Sequence, residues 1–291
     1  MWERINNFVH SRVIISACIL CIAFYSILAT IPFPLANITL SGELIVRTII
    51  LMALSAIVVW LMLKMQVFNI NDFKLNKMGK GLFLICVGIL FAVVGFLFLF
   101  TQLPDNRFIA PKPFDFLAVA FSQLVGVGIY EELLFRGLIL KLLLLKMVHS
   151  KRGIINACVI SSIIFGVSHV GNIIGIARIA EQLSVGVVLP VVSQVIFTTA
   201  FGVLAVALFL RSGTIWIPIL IHGVGNLVAQ TFFAFISRER IYQFAQTPIE
   251  MSISEFFTST LMNTIPLLVV GLFLLRKVKS DDISYIIPER P

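Results

Sequence analysis

The sequence predicts an all-α fold: a polytopic bundle of about eight membrane-spanning helices with the N- and C-termini in the cytoplasm. Three observations predict it. The chain is 59% hydrophobic and only 12% charged, where a soluble domain averages about 45–50% and about 25%. Its mean hydropathy is +1.05. Its apolar residues also gather into runs near the roughly 20 residues that cross a bilayer. Eight such runs lie at about 13–33, 45–68, 82–103, 116–140, 153–172, 186–210, 213–236 and 258–275. A length of 291 residues has room for one membrane domain, 1–291, and neither a repeat nor a linker divides it.

Taken in order, the first run follows Arg4 and Arg12, and no small-residue cleavage site ends it. It is expected to stay as a helix rather than leave as a signal peptide. The second run contains Arg47. The sixth and seventh are separated only by Arg211-Ser212-Gly213-Thr214, which predicts a tight turn. Segments 173–184 and 237–257 mix charges with apolar residues. They read as solvated loops, with an amphipathic segment along the interface as the alternative.

Sixteen of the 22 Lys and Arg residues fall at the two ends and in every second connection, Arg136, Lys141 and Lys146 among them. Positive residues mark the cytoplasmic side. The net charge of +8 therefore serves orientation in a lipid bilayer, and no nucleic-acid partner is expected. Cys18, Cys21, Cys86 and Cys158 lie inside apolar runs without metal-ligand spacing. They read as small core residues.

One stretch breaks the apolar pattern most sharply: Glu131-Glu132-Leu133-Leu134-Phe135-Arg136. Ionisable groups inside a span are expensive, and by default they mark a functional site. Neighbours on a helix point about 100° apart, whereas residues four apart share a face. Glu132 therefore pairs with Arg136 as a structural element. Glu131 has Phe135 at that spacing and no cation, so it is left to project into a cavity.

His169 follows in Phe165-Gly166-Val167-Ser168-His169, with Phe165 and His169 on one helical face. Glu131 lies 19 positions before Ser150 and His169 lies 19 after it. A helical hairpin turning near Ser150 brings both to one depth, roughly 28 Å from the turn at 1.5 Å per residue. The third group is His222-Gly223-Val224-Gly225-Asn226. A ring N–H and an amide four residues apart supply oxyanion-hole chemistry, or else interhelical hydrogen bonds. Zinc is the other use of two His and two Glu. No H-E-x-x-H occurs and the ligands would come singly from three helices, so no metal and no other cofactor is expected.

Glu131-Glu132-x-x-x-Arg136, Phe165-x-x-x-His169 and His222-x-x-x-Asn226, in that order and each within an apolar span, resemble the intramembrane glutamic proteases of the CPBP family. That family includes the type II CAAX prenyl endopeptidases and bacterial Abi-type proteins. The resemblance covers about residues 115–230, and Phe197, Phe201 and Gly202 match an intervening family segment loosely.

By that resemblance Glu131 is the general base that activates water, assisted by His169. His222 and Asn226 stabilise the oxyanion, while Glu132, Arg136 and Phe165 support the site. The function implied is an intramembrane endopeptidase acting on a peptide or protein substrate, itself membrane-associated, in a bacterial plasma membrane. The alternatives are a non-catalytic membrane partner or bacteriocin-immunity protein of the same family, and a proton-coupled transporter. The chain ends in Pro288-Glu289-Arg290-Pro291, which is no CAAX motif.

Overall fold

The computed structural model describes residues 7–9, 11–29, 39–75, 113–177, 183–231, 250–278 and 283. Among these residues it is helical throughout and contains no strand. We number its helices α1 (Val13–Ala29), α2 (Leu40–Lys64), α3 (Pro113–Met147), α4 (Lys151–Ser168), α5 (Asn172–Ala177), α6 (Val185–Ser212), α7 (Trp216–Thr231) and α8 (Ile253–Arg276). Five segments are long and apolar enough to cross a membrane: α2, α3, α6, α8, and α4 continued to Ile174. Helices α1 and α7 are shorter and apolar. The expected run at 82–103 lies outside the described residues, as does most of segment 237–257.

Polar residues start the helices where the sequence places them. Thr39 caps α2 by accepting from the Gly42 N–H at 3.1 Å, and Ser150 caps α4 by accepting from the Gly153 N–H at 3.0 Å. Such side chains satisfy N–H groups that have no partner within their own helix. A Cβ at Gly153 would lie 1.9 Å from the Met147 carbonyl oxygen. Only glycine therefore allows α3 to turn so tightly into α4. The turn between α6 and α7 closes on Gly213, whose φ of 68° is left-handed and whose N–H reaches the Phe209 carbonyl at 2.8 Å. Ser252 and Glu255 form a reciprocal capping box at the start of α8, each satisfying a backbone donor of the first turn.

Helix α3 is the central element. Tyr130, Leu134, Phe135, Leu138, Ile139 and Leu140 are all fully buried. Glycines let its neighbours approach closely. A Cβ at Gly128 would meet the Ile219 carbonyl oxygen of α7 at 3.1 Å, and one at Gly223 of α7 would meet Leu124 Cα at 2.9 Å. A second tight crossing joins α4 to α6, where a Cβ at Gly166 would sit 1.9 Å from Thr199 Oγ1 and one at Gly202 would sit 3.0 Å from Ser162 Cβ. The outer faces of α1 (Ile15, Ile19, Ile22) and α8 (Met262, Val269, Phe273) are exposed and apolar, as a lipid-facing surface must be.

The extent of α3 corrects the sequence reading. The run expected at 116–140 is a 35-residue helix, and neither Arg136 nor Lys141 lies in a loop. Both are buried inside it. Lys141 pairs with Asp72 of the 3-10 turn Ile70–Phe73 and donates to the Val67 carbonyl at 3.0 Å. A buried charge is tolerable only when it is paired, so the positive side chain follows its partner into the protein.

Candidate active site

Two π-helical stretches, Ser122–Gly128 and Leu133–Ile139, bracket a four-residue α-helical piece, Ile129–Glu132. Such wide turns are rare and concentrate at functional sites. Here they present Glu131 and Glu132 toward α7 between glycine-lined contacts. Helical phase still separates the two carboxylates. Glu132 is fully buried, while Glu131 is 12% exposed. Arg136 places Nε 3.1 Å from Glu132 Oε2, the i,i+4 ion pair that the spacing predicts. Its guanidinium carbon lies 4.6 Å from the Phe165 ring centroid, within the range of a cation–π contact.

His222 of α7 stands between the glutamates. Its Nδ1 lies 2.7 Å from Glu132 Oε1, and its Nε2 lies 3.6 Å from Glu131 Oε2. A carboxylate only accepts, so Nδ1 donates its N–H to Glu132. Sequence reasoning missed this contact, because spacing within one helix carries no information about a partner 90 positions away. Asn226, one turn further along α7, is half-buried. Among the described residues no hydrogen bond joins it to His222.

His169 follows directly on α4, in the 3-10 turn His169–Gly171. Its Nδ1 lies 3.0 Å from the Phe165 carbonyl oxygen. That oxygen can only accept, so Nδ1 carries a proton, and in the neutral ring the free lone pair is then on Nε2. Ser168 also donates to the Phe165 carbonyl, at 2.6 Å. The Phe165 ring is the spacer of the site. His169 packs against it at 5.1 Å and His222 at 5.9 Å, both edge-on, with Phe135 at 4.7 Å. Phe201 of α6 closes over His222 at 5.0 Å, whereas Phe197 is exposed. Ser161 Oγ donates to the Phe135 carbonyl at 3.3 Å and pins α4 to α3 at this level.

Glu131, Glu132, Arg136, Phe165, His169 and His222 thus form one cluster of contacts drawn from three helices. Asn226 lies at its edge on the His222 face. Among the described residues no group of three or more His, Cys, Asp or Glu side chains is arranged to hold a metal ion.

Residues 113–228 match the family model described as type II CAAX prenyl endopeptidase Rce1-like. Over that segment the chain is similar to the CPBP/CAAX proteases. The match runs from the start of α3 through most of α7 and includes every residue of the cluster. No curated protein and no solved structure matches the chain. That similarity, together with the apolar helices, supports an integral membrane protein of the intramembrane protease type, a family whose substrates are peptides or proteins.

Proposed function

We propose that the chain is a metal-independent glutamic endopeptidase of a bacterial plasma membrane, with residues 115–230 as its catalytic core. The supporting observation is the division of labour between the two carboxylates. Glu132 is held by Arg136 at 3.1 Å and by His222 at 2.7 Å. Glu131, more open and bound by neither contact at hydrogen-bond length, is left to do chemistry.

In this reading Glu131 takes a proton from water as the water oxygen bonds to the scissile carbonyl carbon. His169, with its proton on Nδ1, accepts the second water hydrogen at Nε2 as a hydrogen bond. Charge then develops on the former carbonyl oxygen, and preorganised donors are the largest single contribution an active site makes at that point. The Asn226 amide and the His222 ring are those donors. With Nδ1 committed to Glu132, His222 donates from Nε2 when its ring carries both protons. The tetrahedral intermediate collapses, the C–N bond breaks, and the proton held by Glu131 passes to the leaving amine.

The test uses the purified protein in detergent or liposomes. Its probes are two quenched fluorogenic peptides with the same CAAX tetrapeptide, one prenylated and one not. Hydrolysis by the wild type that Glu131→Gln abolishes supports the reading, and the ratio between the two peptides states whether a lipid is part of the substrate. Hydrolysis that survives in Glu131→Gln contradicts it.

A further inference from the structure

We infer that Tyr25, on α1 and outside the segment that matches the protease family, is an additional catalytic residue whose hydroxyl holds the attacking water. The inference rests on the glutamate reading above. Helix α1 packs beside the hairpin of α3 and α4, and it sets Tyr25 against the site. The Tyr25 ring lies 6.1 Å from the His169 ring and 6.1 Å from the Phe135 ring. Its hydroxyl is near Ser168 and, like that of Tyr130, within electrostatic reach of Glu131. Yet that hydroxyl is buried and makes no hydrogen bond among the described residues. Ser168 spends its own proton on the Phe165 carbonyl.

A buried hydroxyl without a partner is costly, and it persists where the site has a use for it. In this inference the attacking water sits among Tyr25, Glu131 and His169. A buried water typically makes about three hydrogen bonds. One placed here donates to the Glu131 carboxylate and to His169 Nε2, and accepts from the Tyr25 hydroxyl. Its remaining lone pair is then free to attack a carbonyl carbon. Tyr25 keeps its proton throughout the reaction. Its contribution is to fix the orientation of the nucleophile, for which proximity and alignment carry large rate factors.

Tyr130 supplies an internal control. Its hydroxyl is also buried without a partner among the described residues and within electrostatic reach of Glu131, but its ring packs on Phe24 at 6.2 Å and, among the described residues, on neither site histidine. The experiment compares wild type, Tyr25→Phe, Tyr130→Phe and Glu131→Gln on the fluorogenic peptide that the wild type cleaves faster, with a thermal melt of each. Tyr25→Phe keeps the ring and removes only the hydroxyl. The expected result is a fall of roughly 10- to 100-fold in kcat with KM and Tm unchanged, while Tyr130→Phe stays at the wild-type rate. Wild-type kcat in Tyr25→Phe, a lowered Tm, or an equal loss in Tyr130→Phe overturns the assignment and leaves the protease reading standing if Glu131→Gln is inactive. A wild type that cleaves neither peptide, or an active Glu131→Gln, overturns the protease reading and this inference with it.

Discussion

The imidazole of His222 is shared by Glu131 and Glu132, at 3.6 Å from one carboxylate and 2.7 Å from the other. One residue of α7 thereby links the buried ion pair of α3 to the more open carboxylate beside it. Mutations around it should separate into those that damage the fold and those that damage only turnover.

Glu132→Ala belongs to the first kind. It leaves the fully buried Arg136 guanidinium without its carboxylate, a loss of roughly 3–5 kcal/mol for a buried pair with one member removed. A thermal melt in detergent should show a large drop. The double replacement Glu132→Leu with Arg136→Met should cost less than Glu132→Ala, because no uncompensated charge remains. A stable Glu132→Ala protein would refute the structural role given to the pair.

Asn226→Ala belongs to the second kind. Among the described residues its side chain bonds nothing, so the melt should not move. Removal of an oxyanion donor should lower kcat by roughly 10²–10³-fold. His222→Ala should lower both kcat and Tm, since it also removes the hydrogen bond to Glu132.

The Asp72–Lys141 pair lies apart from the site, buried at the end of α2 and against the turn into α7. Asp72 also accepts through its carbonyl from Thr214 Oγ1 at 3.0 Å and from the Ile215 N–H at 2.8 Å. Asp72→Ala should therefore destabilise by roughly 3–5 kcal/mol, while activity per folded molecule is retained. Yield and melting temperature set against specific activity give the check.

Gly166→Ala should push α4 from α6, since its Cβ would overlap Thr199 Oγ1 and crowd the Val195 carbonyl. An overpacked contact of this kind costs about 1–3 kcal/mol, and His169, three residues on, should lose alignment with it. Gly225→Ala meets nothing within 4 Å and should melt like the wild type.

Much of this arrangement was legible in the sequence because it rests on periodicity and turn chemistry. The hairpin turn near Ser150, the turn at Gly213 and the Glu132–Arg136 pairing each follow from residues close together in the chain. The helical count that set Glu131 and His169 at one depth assumed regular α-helix. The π-helical turns around the glutamates, invisible to residue spacing, break that assumption in α3. Lys141 looked like a loop charge because its partner, Asp72, is 69 positions away. The same reason hid the His222–Glu132 contact and the approach of Tyr25 to His169. Composition identifies a membrane span, but only tertiary contact shows which of its polar residues are satisfied.

The central claim is that Glu131, and not its neighbour, activates water. The most direct measurement is single-turnover cleavage of the fluorogenic peptide by Glu131→Gln protein whose melting temperature equals that of the wild type. The account predicts no cleavage above the uncatalysed background from a fully folded enzyme. Cleavage at the wild-type rate by that folded variant would contradict it.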